Sequence, residues 1–68
     1  MKLKVGDTLQ YRAFGGELRT VIVDGVESDI KNGRPGFDGT IIEGADRGRT
    51  VWGYDSQIVW VVSKGGDL

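Results

Sequence analysis

The chain has 68 residues, no cysteine and no histidine, and nine Lys and Arg against ten Asp and Glu, for a net charge of −1. That composition excludes disulfides, thiolate zinc sites and the commonest general base, and leaves metal binding to carboxylates, which favour hard ions. It also lacks the cationic excess of a non-specific nucleic-acid binder, and no run approaches the roughly 18 apolar residues of a membrane-spanning helix.

A chain this short buries only about 60% of the surface its unfolded form exposes, so one domain with a thin core is expected. Its stability then rests on a well-packed barrel or on self-association. "MKLKVGD" opens with a cation, but no apolar run of signal-peptide length follows. The chain reads as a complete small gene product working in the cytoplasm.

Twelve glycines and no helical apolar period longer than about one turn predict short strands joined by tight turns. In "LKVGDTLQYRA", Leu3, Val5, Leu9, Tyr11 and Ala13 share one parity, and Lys4, Thr8, Gln10 and Arg12 share the other. Gly6-Asp7 interrupts this first strand as a turn or bulge, and Gly15-Gly16 ends it. "LRTVIVDGV" is the second strand, with a turn or bulge at Asp24-Gly25, and "SDI" has room for one helical turn.

The stretch "KNGRPGFDG", residues 31–39, carries Gly33, Gly36 and Gly39 at every third position. This is neither the dinucleotide fingerprint nor a Walker loop, and no helix follows to present its N-terminus to a phosphate. "GRPG" matches the G-x-x-G of a KH loop, but that loop joins two helices and neither flank is helical. Turn chemistry explains the glycines: Asn32-Gly33 suits a hairpin, Arg34-Pro35-Gly36-Phe37 a type II turn, and Asp38-Gly39 a bulge or close approach.

"FDGTIIEG" is the third strand, "RTVWG" the fourth and "IVWVV" the fifth, with a tight helical turn capped by Asp55 or Ser56 before the last. "KGGDL" is polar and glycine-rich and is expected to fray. The predicted fold is all-β: a five-stranded antiparallel SH3-like barrel over residues 1–62, with one helical turn before the last strand and a tail over 63–68. An OB-fold is the runner-up, weakened by the missing helix.

Six aromatic residues compete for core and surface: Tyr11, Phe14, Phe37, Trp52, Tyr54 and Trp60. Trp60 is assigned to the core with Ile58 and Val62, and Trp52 or Tyr54 to the surface. Phe37 is either a core lid or an exposed contact, with the core preferred. Trp52 and Tyr54 share a parity, and Asp55 beside them could hold a ligand cation. Val59 and Val61 take the opposite parity to Trp60, so the N-terminal segment or a partner must cover that face, or it stays exposed. The aspartates (Asp7, Asp24, Asp29, Asp38, Asp46 and Asp55) sit where turns favour them, without calcium-loop spacing.

These residues point to a non-enzymatic module with no cofactor and no metal. Its expected partner is a protein, met through Arg34, Phe37, Trp52, Tyr54 and Asp55. The alternatives are a nucleic-acid patch of Lys31, Arg34, Arg47 and Arg49, or a structural protomer self-assembling through "IVWVV". As a free species it would be a monomer or weak homodimer.

"NGRPGFDG" and "VWGYDSQ" resemble an N-G-R-P-G-F-x-G element followed by V-W-G-Y-D-x-Q in small uncharacterised proteins of actinobacteria and their phages. The resemblance covers residues 32–58 and implies a bacterial or phage intracellular setting, with no activity or site residues attached. "VGDTLQY" followed by glycine-punctuated strands also resembles KOW-type and other SH3-like modules, which bind nucleic acid or protein. That likeness bears on fold alone.

Overall fold

The computed structural model describes residues 3–65. The strands are β1 (Thr8–Arg12), β2 (Leu18–Lys31), β3 (Arg34–Ile41), β4 (Thr50–Tyr54) and β5 (Ile58–Ser63), with a 3-10 turn, Asp55–Gln57, between the last two. They form one antiparallel sheet in the order β4-β3-β2-β1-β5, so β4 and β5 are its edges. The protein is thus all-β, and no ladder joins β4 to β5 among the described residues to close the sheet.

The core follows from strand alternation. Leu9 and Tyr11 point inward from β1 while Thr8, Gln10 and Arg12 point away. Across the sheet Leu9 stands opposite Val21, and Val21 opposite Ile41, giving one apolar row over three strands. With Val23 and Phe37 these residues make up the buried cluster, and Leu3, Ala13, Val51 and Ile58 pack against it. Phe37 pairs with Gly53 on β4, where the missing side chain leaves room for the Phe37 and Tyr11 rings. Those two rings meet edge-on, with centroids 5.2 Å apart and planes at 84°.

The stretch 31–39 is built differently from its sequence expectation. Asn32 (φ 58°) and Gly33 (φ 73°) form the expected hairpin turn, with Lys31 directly opposite Arg34. Arg34–Phe37 is not a second turn, because β3 begins at once. Gly36 serves close approach instead: a Cβ there would run into the Gly53 carbonyl and the Ile30 side chain. Pro35 is tolerated in this strand because it lies beyond the last β3–β4 pair, where three residues of β2 oppose it alone. "SDI" is likewise strand, not helix, so β2 runs to Lys31. The bulge expected near Asp24 is present as a register shift between Val23 and Gly25.

Trp60 is not in the core: it is 53% exposed. Gln10 pairs with Trp60 but Tyr11 pairs with Ile58, so Val59 is an extra residue, and Val62 is a second one between Val61 and Ser63. Each bulge resets the alternation. Ile58 and Val61 are therefore half-buried, while Trp60 and Val62 are exposed together with Val59. The Trp60 Nε1–H donates to Gln10 Oε1 at 2.8 Å on the outer face.

The cap of the 3-10 turn comes from neither Asp55 nor Ser56. Gln57 supplies it: its Oε1 accepts from the Tyr54 N–H at 2.8 Å, and its Nε2 donates to the Arg12 carbonyl at 2.8 Å.

Asp7 is more than a turn residue, since it is fully buried. Its carboxylate accepts from the Lys4 N–H (3.0 Å), the Gly65 N–H (2.8 Å) and the Lys64 ammonium (3.0 Å). Burial pushes its pKa up, but the bonds from Gly65, Lys64 and Lys4 outweigh it and hold the carboxyl below its ordinary value. Of the segment expected to fray, Ser63 is the last residue of β5 and Lys64 and Gly65 are tied to Asp7. Residues 66–68 lie outside the described residues.

Candidate functional site

β4 presents alternate side chains to opposite faces: Val51 and Gly53 inward, Trp52 and Tyr54 outward. The outward rings stand edge to face, with centroids 5.3 Å apart and planes at 88°. Phe14, from the turn between β1 and β2, completes a triangle at 5.3 Å from Trp52 and 6.1 Å from Tyr54. The turn puts it there: the Ala13 N–H bonds the Glu17 carbonyl, and Gly16 (φ 95°) lets the chain reverse around Phe14. Phe14 remains 67% exposed.

The β2–β3 hairpin adds two cations to this triangle. Lys31 Nζ lies 5.1 Å from the Trp52 ring centre, and the Arg34 guanidinium carbon 4.1 Å from that of Tyr54. Polar contacts fix the hairpin tip: Arg34 Nη2 donates to Ser56 Oγ at 3.0 Å, and Asn32 Nδ2 to the Tyr54 hydroxyl at 3.1 Å. Asp29 steadies the turn itself by accepting from the Gly33 N–H at 2.8 Å.

Two hollows flank the rings. One, of about 530 Å³, runs between the β1–β2 turn and the 3-10 turn, past Phe14, Arg34, Tyr54 and Val59. The other, about 380 Å³, lies beside Trp52 with Lys31, Asp38 and Ile30. Both expose apolar surface next to a cation, Arg34 in the first and Lys31 in the second.

Of the residues expected at a protein-binding surface, Arg34, Trp52 and Tyr54 come together. Phe37 does not: it is completely buried, because β3 parity sends it inward against Tyr11. Asp55 lies in the 3-10 turn beside Tyr54 but lines a separate depression of about 310 Å³ with Leu3, Ser56 and Ile58. The cations at the ring faces are the chain's own, Lys31 and Arg34.

Sequence reasoning gave no role at the site to Phe14 or to Arg12, which also lines the larger hollow. An aromatic residue directly before a Gly-Gly pair was the available signal for Phe14, since a tight turn leaves its side chain little cover.

The expected nucleic-acid patch is divided. Lys31 and Arg34 stand at one end of β3, and Arg47 and Arg49 in the β3–β4 connection at the other. The strand between them spans about 23 Å at roughly 3.3 Å per residue. Arg49 also pairs with Asp46 at 3.5 Å, and Asp46 takes Arg19 at 3.3 Å as well.

Among the described residues no group of three or more potential metal ligands converges, and no helix is long and apolar enough to cross a membrane. No protein-family model, curated protein or solved structure matches the chain.

Proposed function

We propose that this chain is a small non-enzymatic binding module that captures a protein partner on the surface formed by Phe14, Trp52, Tyr54 and Arg34. The observation that carries this reading is the ring triangle itself. Large apolar side chains remain partly or largely at the surface there, in contact with one another and with a docked hairpin, beside a hollow of about 530 Å³. Aromatic and arginine side chains are the residues most often found to dominate protein–protein binding energy. The strand order, with a 3-10 turn just before β5, supports an SH3-like barrel as the finer description of the fold. The β1–β2 turn and the 3-10 turn both border the hollow of about 530 Å³.

The test is selection of binders from a displayed library of random extended peptides. Each selected peptide is then measured against the wild-type chain and against Tyr54→Ala. Binders that lose at least tenfold in affinity for the folded variant support the reading. Binders indifferent to Tyr54→Ala and Phe14→Ala would move the binding surface elsewhere.

The β5 edge favours a second reading. Ile58–Ser63 carries no charge, forms a free edge of the sheet, and exposes Val59, Trp60 and Val62. An uncharged apolar edge is a template for pairing with a second copy, although its two bulges work against flat pairing. Sedimentation of a clean monomer at millimolar concentration would remove this reading.

A further inference from the structure

The groove between the β1–β2 turn and the 3-10 turn has a charge pattern that narrows what it can hold. Its floor is apolar, from Ala13, Ile58 and Val59, and Phe14 and Tyr54 supply its rings. The charged residues that line it are two arginines, Arg12 and Arg34, with no carboxylate among its lining residues. In a chain whose net charge is −1, this is a local inversion of sign.

The arginine geometry leaves capacity for a ligand. A guanidinium carries five N–H donors. Arg12 commits one through Nη1 to the Gly16 carbonyl at 2.9 Å, and Arg34 one through Nη2 to Ser56 Oγ at 3.0 Å. These bonds, with the stacking of Arg34 on Tyr54, orient each fork without exhausting it. A planar fork held in place is the usual receptor for a carboxylate, which it grips through two parallel hydrogen bonds.

Resting on the binding-module reading above, we infer that the groove's ligand is an extended acidic peptide. Its carboxylates pair with Arg12 and Arg34, and an apolar side chain lies between Phe14, Ile58 and Val59. Alternating acidic and apolar residues suit this arrangement, because an extended chain turns successive side chains to opposite directions and a shallow groove reads both edges.

A single-stranded nucleic acid fits less well, although it too carries negative charge. Base recognition uses open ring faces as stacking platforms. Here Tyr54 and Trp52 already carry Arg34 and Lys31 on a face, and they meet each other edge-on. The next cations, Arg47 and Arg49, stand at the far end of β3.

The test is an amide-shift titration of the full chain with five probes of equal length. These are an Asp-Leu repeat peptide, its Asn-Leu isostere, a Lys-Leu repeat, a proline-rich peptide and oligothymidylate. The inference expects the Asp-Leu peptide to shift Ala13, Phe14, Tyr54, Ser56 and Val59 and to bind at least tenfold more tightly than the other four. Arg12→Gln and Arg34→Gln should each weaken it about tenfold. Arg12→Lys and Arg34→Lys, which keep the charge and lose the fork, should recover only part of that loss. Unfolding curves of all four variants separate lost contacts from lost structure.

Equal binding of the Asn-Leu isostere, or preference for the Lys-Leu or proline-rich peptide at the same amides, overturns the acidic ligand and leaves the binding module standing. Oligothymidylate as the tightest ligand at those amides overturns both. So does the absence of groove shifts with every probe at millimolar concentration.

Discussion

The Tyr11–Phe37 pair and the Phe14–Trp52–Tyr54 triangle use almost the same ring geometry in opposite settings. The first packs edge-on at 5.2 Å and 84° with both residues buried. In the second, Trp52 meets Tyr54 at 5.3 Å and 88°, with both half-buried and Phe14 largely exposed. Ring–ring contact contributes only about 0.5–1.5 kcal/mol beyond area burial, so geometry does not separate the two groups. Removal from water does. The buried pair defines the core, while the triangle, half-buried at Trp52 and Tyr54 and exposed at Phe14, gains less from folding and keeps apolar surface available to a partner.

Substitutions break this comparison at graded depths. The largest effect is expected at Phe37→Ala, which should cost about 3–5 kcal/mol, a large share of the stability of a small domain. A urea titration would read it as loss of most of the folded baseline.

Next comes Asp7→Ala, which removes the carboxylate that accepts from the Lys4 N–H, the Gly65 N–H and the Lys64 ammonium. A hydrogen bond to a charged group contributes about 1.5–3 kcal/mol, so the loss of this cluster is a sizeable cost. Asp7 also contributes to the acid limb of stability. Because the folded-state pKa of Asp7 is depressed, its contribution is present above the ordinary carboxylate value and is lost as pH falls below about 4. Thermal melts at pH 3 and pH 6 should therefore differ less for Asp7→Asn than for the wild-type chain.

Gly36→Ala tests the closeness of β3 and β4. The added methyl meets the Gly53 carbonyl and Ile30, so a loss of about 1–3 kcal/mol is expected, with the ring triangle loosened as β4 shifts. Tyr54 and Trp52 fluorescence would report that shift. The smallest effect is expected at Phe14→Ala, within about 0.5 kcal/mol in stability, as for other largely exposed side chains.

Several of these features were legible in the sequence, and the reasons others were not are physical. Strand identities, the Asn32-Gly33 hairpin and the inward parity of Leu9 and Tyr11 depend on nearest neighbours, which a sequence displays. Gly36 depends on a carbonyl from β4 and a side chain from β2, so it mimicked turn glycine. Trp60 was misplaced because bulges at Val59 and Val62 shift the alternation, and nothing in "IVWVV" marks where an extra residue falls. Asp7 looked like a turn aspartate because its partners Lys64 and Gly65 lie at the other end of the chain. At the candidate site, the same-face placement of Trp52 and Tyr54 followed from parity. Phe14 joins them from the β1–β2 turn and Lys31 from the β2–β3 hairpin, contacts between distant segments that no local pattern displays.

The most direct test compares Phe14→Ala with the wild-type chain, measuring affinity for a library-selected peptide under conditions where both are fully folded. The account predicts at least a tenfold loss of affinity with an unfolding midpoint unchanged within error. A variant that binds as well as the wild type but unfolds at distinctly lower urea would contradict it, and would place the exposed triangle with the core.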